Sequence, residues 1–324
     1  FGNIKSWKWE TYWMIFSTGA YIIFPLLACL IFAPNFVSII REATTKTLAY
    51  VFILGAVYGI GNLSFGLALR YLGLSLGYAL SLGLMLAIGT LIPPLLDGRL
   101  KMMMDVSGGL LLIAGVLVAC AGIALSAWAG ILKDKNLSKE QKQETVGEFD
   151  LTKGILAALL VGITGSAMSL GFEQGIPISD IAARKGVDPL YTMMPVLVVL
   201  FAGTFITTII WCILVLGLKN NSLPDYFNNK LGTKTLIGNY GFALLAGLLW
   251  FGQLIVYGMG KSKMGPFTFT SWGILMALTI AFATIWGLLR KEWKGAPAKV
   301  YILMVLSLSI IITASFMIGI SGSE

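Results

Sequence analysis

The sequence predicts an all-α polytopic membrane protein, and three observations carry that prediction. Of the 324 residues 57% are hydrophobic, only 12% are charged, and the apolar residues fall in long continuous runs. A soluble domain carries about 25% charged residues, so a chain this apolar must turn its excess towards lipid. Inside a bilayer every backbone N–H and C=O has to be satisfied within the protein, which leaves helices or a closed barrel. A barrel would show segments of about ten residues alternating in polarity. The runs here are unbroken and about twice as long. Helices follow.

Runs near or above about eighteen apolar residues read as membrane spans. Nine are expected, at about 11–33, 48–69, 74–96, 108–128, 154–173, 191–217, 239–259, 265–289 and 299–320. Most connections are short, which makes successive helices antiparallel neighbours. The one long polar stretch, 133–150, nearly alternates Lys, Glu and Gln and reads as a solvated linker. It divides the chain into a front helical half, 1–132, with four spans and a back half, 151–324, with five. Alternating the spans places 15 of the 23 Lys and Arg on the side that holds residues 1–10, 70–73, 129–153, 218–238 and 290–299. Basic loops face the cytoplasm, so that side is predicted to be cytoplasmic.

The net charge of +8 does not indicate a nucleic-acid partner, because its basic residues sit in short loops between apolar runs. Cys29, Cys120 and Cys212 all lie inside apolar runs and read as packing residues. There is no histidine, which removes the commonest proton shuttle, metal ligand and general base together. No cofactor or metal is expected. Neither a nucleophile–base pair nor a Gly-x-x-x-x-Gly-Lys-Ser/Thr loop is present, which argues against an enzyme and against direct use of ATP.

An internal repeat emerges at an offset of 191 residues, where Asn62 faces Gln253, Arg70 faces Lys261 and Arg99 faces Arg290. An offset that spans five helices sets the two copies in opposite orientations. Inverted repeats mark alternating-access transporters, with the substrate near the midplane between them.

At Trp7-Lys8-Trp9-Glu10, Pro34-Asn35-Phe36, Gly59-Ile60-Gly61-Asn62, Arg70-Tyr71-Leu72-Gly73, Gly186-Val187-Asp188-Pro189-Leu190-Tyr191 and Lys291-Glu292-Trp293 the chain resembles the bacterial L-rhamnose–proton symporter family. That family lies within the drug/metabolite transporter superfamily, and the match runs in order over essentially the whole chain. The resemblance implies ten helices in two inverted five-helix halves, with the first helix missing before Phe1. It also implies uptake of L-rhamnose or a related deoxy sugar with a proton, across the bacterial inner membrane. Relatives of this scaffold carry amino acids, drugs and nucleotide sugars, so export or exchange of another metabolite is the competing reading. A non-transporting membrane sensor is a remoter one.

Asn62 and Gln253 are the leading substrate-binding candidates, since an amide inside a span is costly without partners. An amide donates and accepts at once, which suits sugar hydroxyls; the bland alternative is an interhelical hydrogen bond. Tyr58, Trp250 and Tyr257 lie one turn from these amides, on what the spacing predicts to be the same helix faces. Aromatic faces stack on the C–H side of a sugar ring. Tyr191 joins them, one turn inside the helix start that Asp188-Pro189 predicts. Trp7, Trp9, Trp13 and Trp293 lie near span ends and read as interfacial anchors. Gly55-x-x-x-Gly59 and Gly73-x-x-x-Gly77 permit close helix approach, though such spacings recur by chance among 38 glycines. Proton coupling needs a titratable group, and the acidic candidates are Glu173, Glu10 and Asp188, with Asp97 read as a turn residue. Glu173 is the most deeply placed of them. No motif transfers a coupling role to any of the four.

Overall fold

The computed structural model describes residues 7–96, 109–136, 150–227, 232–263, 270–291 and 293–321. The described residues form helices and turns and contain no strand. Among the described residues eight segments are long and apolar enough to cross a membrane. They are α1 (Trp9–Phe32), α3 (Thr45–Gly73), α5 (Gly109–Lys133), Leu151–Arg184, Pro189–Gly217, α10 (Thr233–Lys261), Ser271–Leu289 and α12 (Ala298–Ser321). A shorter apolar helix, α4 (Leu76–Ile92), occupies the place of the span expected at 74–96. Asp97 and most of the 133–150 linker lie outside the described residues.

Local chemistry explains where these segments bend and stop. In α1 the residues Gly19–Ile23 widen into a π-helical turn just before Pro25. Proline has no N–H to give the carbonyl four residues back, and its ring crowds that carbonyl, here Tyr21. A short helix, α2 (Phe36–Glu42), follows α1. Gly73 takes φ 79° and ψ 178°, a conformation that a side chain would strain, and separates α3 from α4. Gly73 therefore serves a turn, not the helix contact that its spacing to Gly77 suggested. The segment 151–184 is three helices, α6 (Leu151–Gly165), α7 (Ala167–Gln174) and α8 (Ile176–Arg184). The Asp150 side chain starts α6 by accepting from the Lys153 amide at 3.0 Å. That bond holds its carboxyl below the usual range. Asp188 caps a 3-10 turn, Pro189–Tyr191, ahead of α9 (Met194–Ile209), which continues as a π-helix over Ile210–Gly217. The remaining helix is α11 (Thr270–Leu289).

The chain folds into two compact units. One holds Phe1–Ile60 and Gly171–Ser262; the other holds Gly61–Leu170 and Lys263–Glu324. Each draws on both sides of the 133–150 linker, so packing and chain order divide the molecule differently.

In the first unit α3 and α9 meet backbone to backbone. A Cβ at Gly55 would collide with the Leu200 carbonyl, and one at Gly203 with the Phe52 carbonyl. The hydroxyls of Thr204 and Thr207 exploit that approach, donating to the Gly55 and Ala56 carbonyls at 2.9 Å each. Beyond the spans, Lys185 and Arg184 pair with Glu42 at 2.8 and 3.4 Å and tie the end of α8 to α2. The hydrogen bond from Lys185 holds the exposed Glu42 carboxyl below its ordinary value.

In the second unit α5 packs on α12 through Leu112, Val116 and Ile318. The Ser307 hydroxyl donates to the Gly122 carbonyl at 2.8 Å. Trp293 sits 2% exposed among Ala129, Val300 and Met304, with the Lys133 ammonium 4.8 Å from its ring centre. Trp13, in the first unit, is 7% exposed. Both are packed against protein, so the interfacial-anchor expectation fails for them.

Candidate functional site

The first unit buries an ion pair between two apolar segments. Glu173, on α7, accepts from the Lys261 ammonium at the end of α10 at 2.8 Å, and their side chains are 4% and 12% exposed. The Lys261 ammonium also lies 5.6 Å from the centre of the Phe172 ring. That ring in turn packs on Tyr257 with centroids 5.4 Å apart. Local geometry explains the grouping. Phe172 and Glu173 are successive residues of α7, while Tyr257 and Lys261 are one turn apart on α10, so a single helix–helix approach brings all four together. Small residues let α7 come close to its neighbours, since a Cβ at Gly171 or Gly175 would strike Leu200 or Val196.

An aromatic cluster occupies another part of the same unit. Tyr21, on the π-helical turn of α1, meets Trp250 edge-on at 5.3 Å and Phe201 at 5.3 Å. Trp250 also contacts Phe16 and Phe201 at 6.2 and 5.6 Å. Tyr58 is buried in the same unit.

Gln253 stands apart from the residues expected beside it. It is exposed, whereas Tyr257 is buried and Trp250 half-buried. At 3.6 residues per turn Trp250 and Tyr257 differ by about 20° around α10, while Gln253 is about 60° from Trp250. The two aromatics share a face and the amide sits on its flank. Asn62 is buried, 7% exposed, and belongs to the second unit. Polar groups there also satisfy α4: Ser169 Oγ donates to the Gly89 carbonyl at 2.8 Å and Trp272 Nε1 to the Met85 carbonyl at 3.1 Å.

The other candidates lie in separate settings. Tyr191 stacks on Phe32 at 4.1 Å and an interplanar angle of 13°. Asp188 is exposed, its carboxylate accepting from the Leu190 amide at 2.8 Å. Glu10 is 3% exposed in the first turn of α1 and accepts from the Asn220 side-chain amide at 2.9 Å. Beside it, Lys8 Nζ donates to the Asn220 carbonyl, and the Lys8 backbone amide donates to Asp225 at 3.2 Å. Burial pushes the nearby Tyr226 phenol up. Among the described residues no group of three or more Cys, Asp and Glu side chains is placed to hold a metal.

Sequence reasoning passed over three of these residues: Lys261 enters it only as the counterpart of Arg70, and Phe172 and Tyr21 do not enter it. The one available signal was chemical: a carboxylate and an ammonium, each at the end of an apolar run, are the groups that need each other most.

The family model described as L-rhamnose-proton symport protein matches residues 1–323. An L-rhamnose-proton symporter of Yersinia pestis (strain Pestoides F) is 33% identical over 322 residues, covering 99% of this chain and 92% of that protein. One from Cronobacter sakazakii (strain ATCC BAA-894) is 33% identical over 322 residues, covering 99% of this chain and 91% of its own length. No solved structure matches the chain.

Proposed function

The chain belongs to the L-rhamnose–proton symporter family, a family of transporters and not of enzymes, and on that premise we propose that it takes up L-rhamnose or a closely related deoxy sugar together with a proton. It does so by alternating access in a bacterial inner membrane. Its nine apolar helical segments form two inverted halves, related by the 191-residue offset that pairs Asn62 with Gln253. One observation in the geometry supports the coupling: a carboxylate buried against an ammonium, around a ring that also touches a candidate sugar-wall tyrosine. A charged pair in an apolar helix bundle is costly to bury and is retained where the charges serve transport.

In this reading Asn62 of the second unit and Gln253 of the first are sugar-binding amides, each able to hydrogen-bond a sugar hydroxyl. Tyr58, Trp250, Tyr257 and Tyr191 supply the aromatic wall. Glu173 carries the proton. Glu10 and Asp188 are subordinate, because Glu10 accepts from the neutral Asn220 amide and Asp188 is exposed and caps its turn, whereas Glu173 is buried against a cation.

Counterflow in proteoliposomes tests the substrate. Vesicles preloaded with unlabelled L-rhamnose should take up labelled L-rhamnose whether or not a protonophore is present, whereas accumulation against a gradient should collapse with it. Failure to exchange L-rhamnose or any other 6-deoxy sugar overturns the assignment.

A further inference from the structure

We infer that the Glu173–Lys261 ion pair, not the carboxylate alone, is the element that couples proton to sugar. The inference rests on the coupling role given to Glu173 above.

Three features of one place point to it. The ammonium is bound to the Glu173 carboxylate at 2.8 Å, it lies over the Phe172 ring, and it belongs to the last residue of α10. The C-terminal end of a helix favours positive charge, which adds to the carboxylate and the ring. As a pair the two side chains are neutral, which is how both stay inside protein at 4% and 12% exposure. A proton taken from water by a Glu173 oxygen removes the negative partner and leaves a net positive charge. The ring alone holds a buried cation poorly. Lysine can then move its ammonium towards water on its flexible stem. Loss of the proton restores the pair.

The same ring carries the signal towards sugar. Phe172 packs on Tyr257, one turn before Lys261 on α10, so release of the ammonium is felt by a residue of the proposed sugar wall. Several ionisable groups of the elements around Glu173 are directed elsewhere. Asp180 on α8 is exposed, Arg184 and Lys185 pair with Glu42, and Asp188 caps Leu190. Lys46 on α3 lies 5.9 Å from the Tyr50 ring, and α9 carries no charged residue.

The test compares Glu173→Gln, Lys261→Gln and Lys261→Arg in proteoliposomes, reading proton-driven accumulation of L-rhamnose and counterflow. Lys261→Gln should abolish accumulation, while exchange itself persists. Lys261→Arg should keep both accumulation and exchange. Loss of accumulation in Glu173→Gln, with Lys261→Gln unchanged in both readouts, overturns the role of Lys261 and leaves Glu173 standing. Retained accumulation in Glu173→Gln overturns the coupling reading itself. If Lys261→Gln does not fold, the exchanged pair Glu173→Lys, Lys261→Glu decides. Restored accumulation supports the inference, and exchange without accumulation overturns it. A doubly exchanged protein that also fails to fold assigns the pair to packing and overturns it equally.

Discussion

Gln253 shows how much one helical residue's angle decides. It lies three residues after Trp250 and four before Tyr257, close enough for all three to be expected on one face. Yet the two aromatics turn inward and the amide is exposed on their flank. An exposed amide beside an aromatic face can bind a hydroxyl without contributing to the core. Gln253→Ala is accordingly expected to weaken L-rhamnose binding about fivefold, the worth of one neutral hydrogen bond of about 1 kcal/mol. The melting temperature without sugar should stay unchanged. Titration of L-rhamnose against thermal stability measures both; unaltered affinity would make Gln253 a surface residue with no part in binding. Among single residues Glu173 was legible, because a carboxylate at the end of a long apolar run is conspicuous. Its partner was not. Lys261 lies 88 residues away, and nothing in a linear sequence records which two helix ends meet.

Most helices were legible to within a few residues, since length and hydropathy fix where a chain can cross a bilayer, but the segment expected at 154–173 runs on to Arg184. What the apolar pattern does not encode is the backbone's local conformation. The π-helical turn that sets Tyr21 among the aromatics follows from Pro25, and the break at Gly73 from a positive φ. Both leave hydropathy untouched. Glycine spacing was similarly mute: Gly55-x-x-x-Gly59 proves to be a close contact, as Gly55 faces the Leu200 backbone and Gly59 faces Thr207. Two substitutions separate such glycines from incidental ones. Gly203→Leu forces a side chain into the Phe52 carbonyl of α3 and should lower stability by at least the ~1–3 kcal/mol of an overpacked core. Gly241→Ala, where nothing lies within 4 Å, should leave stability unchanged or raise it by up to about 1 kcal/mol. Thermal unfolding of the two purified variants in detergent compares them side by side, and equal melting temperatures would rule out the assigned helix contact.

In the molecule as a whole, two kinds of division are superposed. Chain order gives a front and a back half around the 133–150 linker, whereas packing gives two units that each take segments from both. The inverted repeat rests on three matched positions of the sequence and belongs to the proposal. Membrane class, transport and the family came through from composition and from motifs spread along the chain. The Glu173–Lys261 pair did not, because it exists only once α7 and α10 are packed. If sugar and proton cross together, each sugar that enters a vesicle must take a proton out of the surrounding medium. The external pH of lightly buffered, de-energised proteoliposomes, followed as L-rhamnose is added, reads that exchange. Coupled entry should appear as a sugar-dependent alkalinisation of the medium that a protonophore abolishes and that Glu173→Gln lacks. Entry of labelled L-rhamnose with no accompanying change in external pH would refute symport.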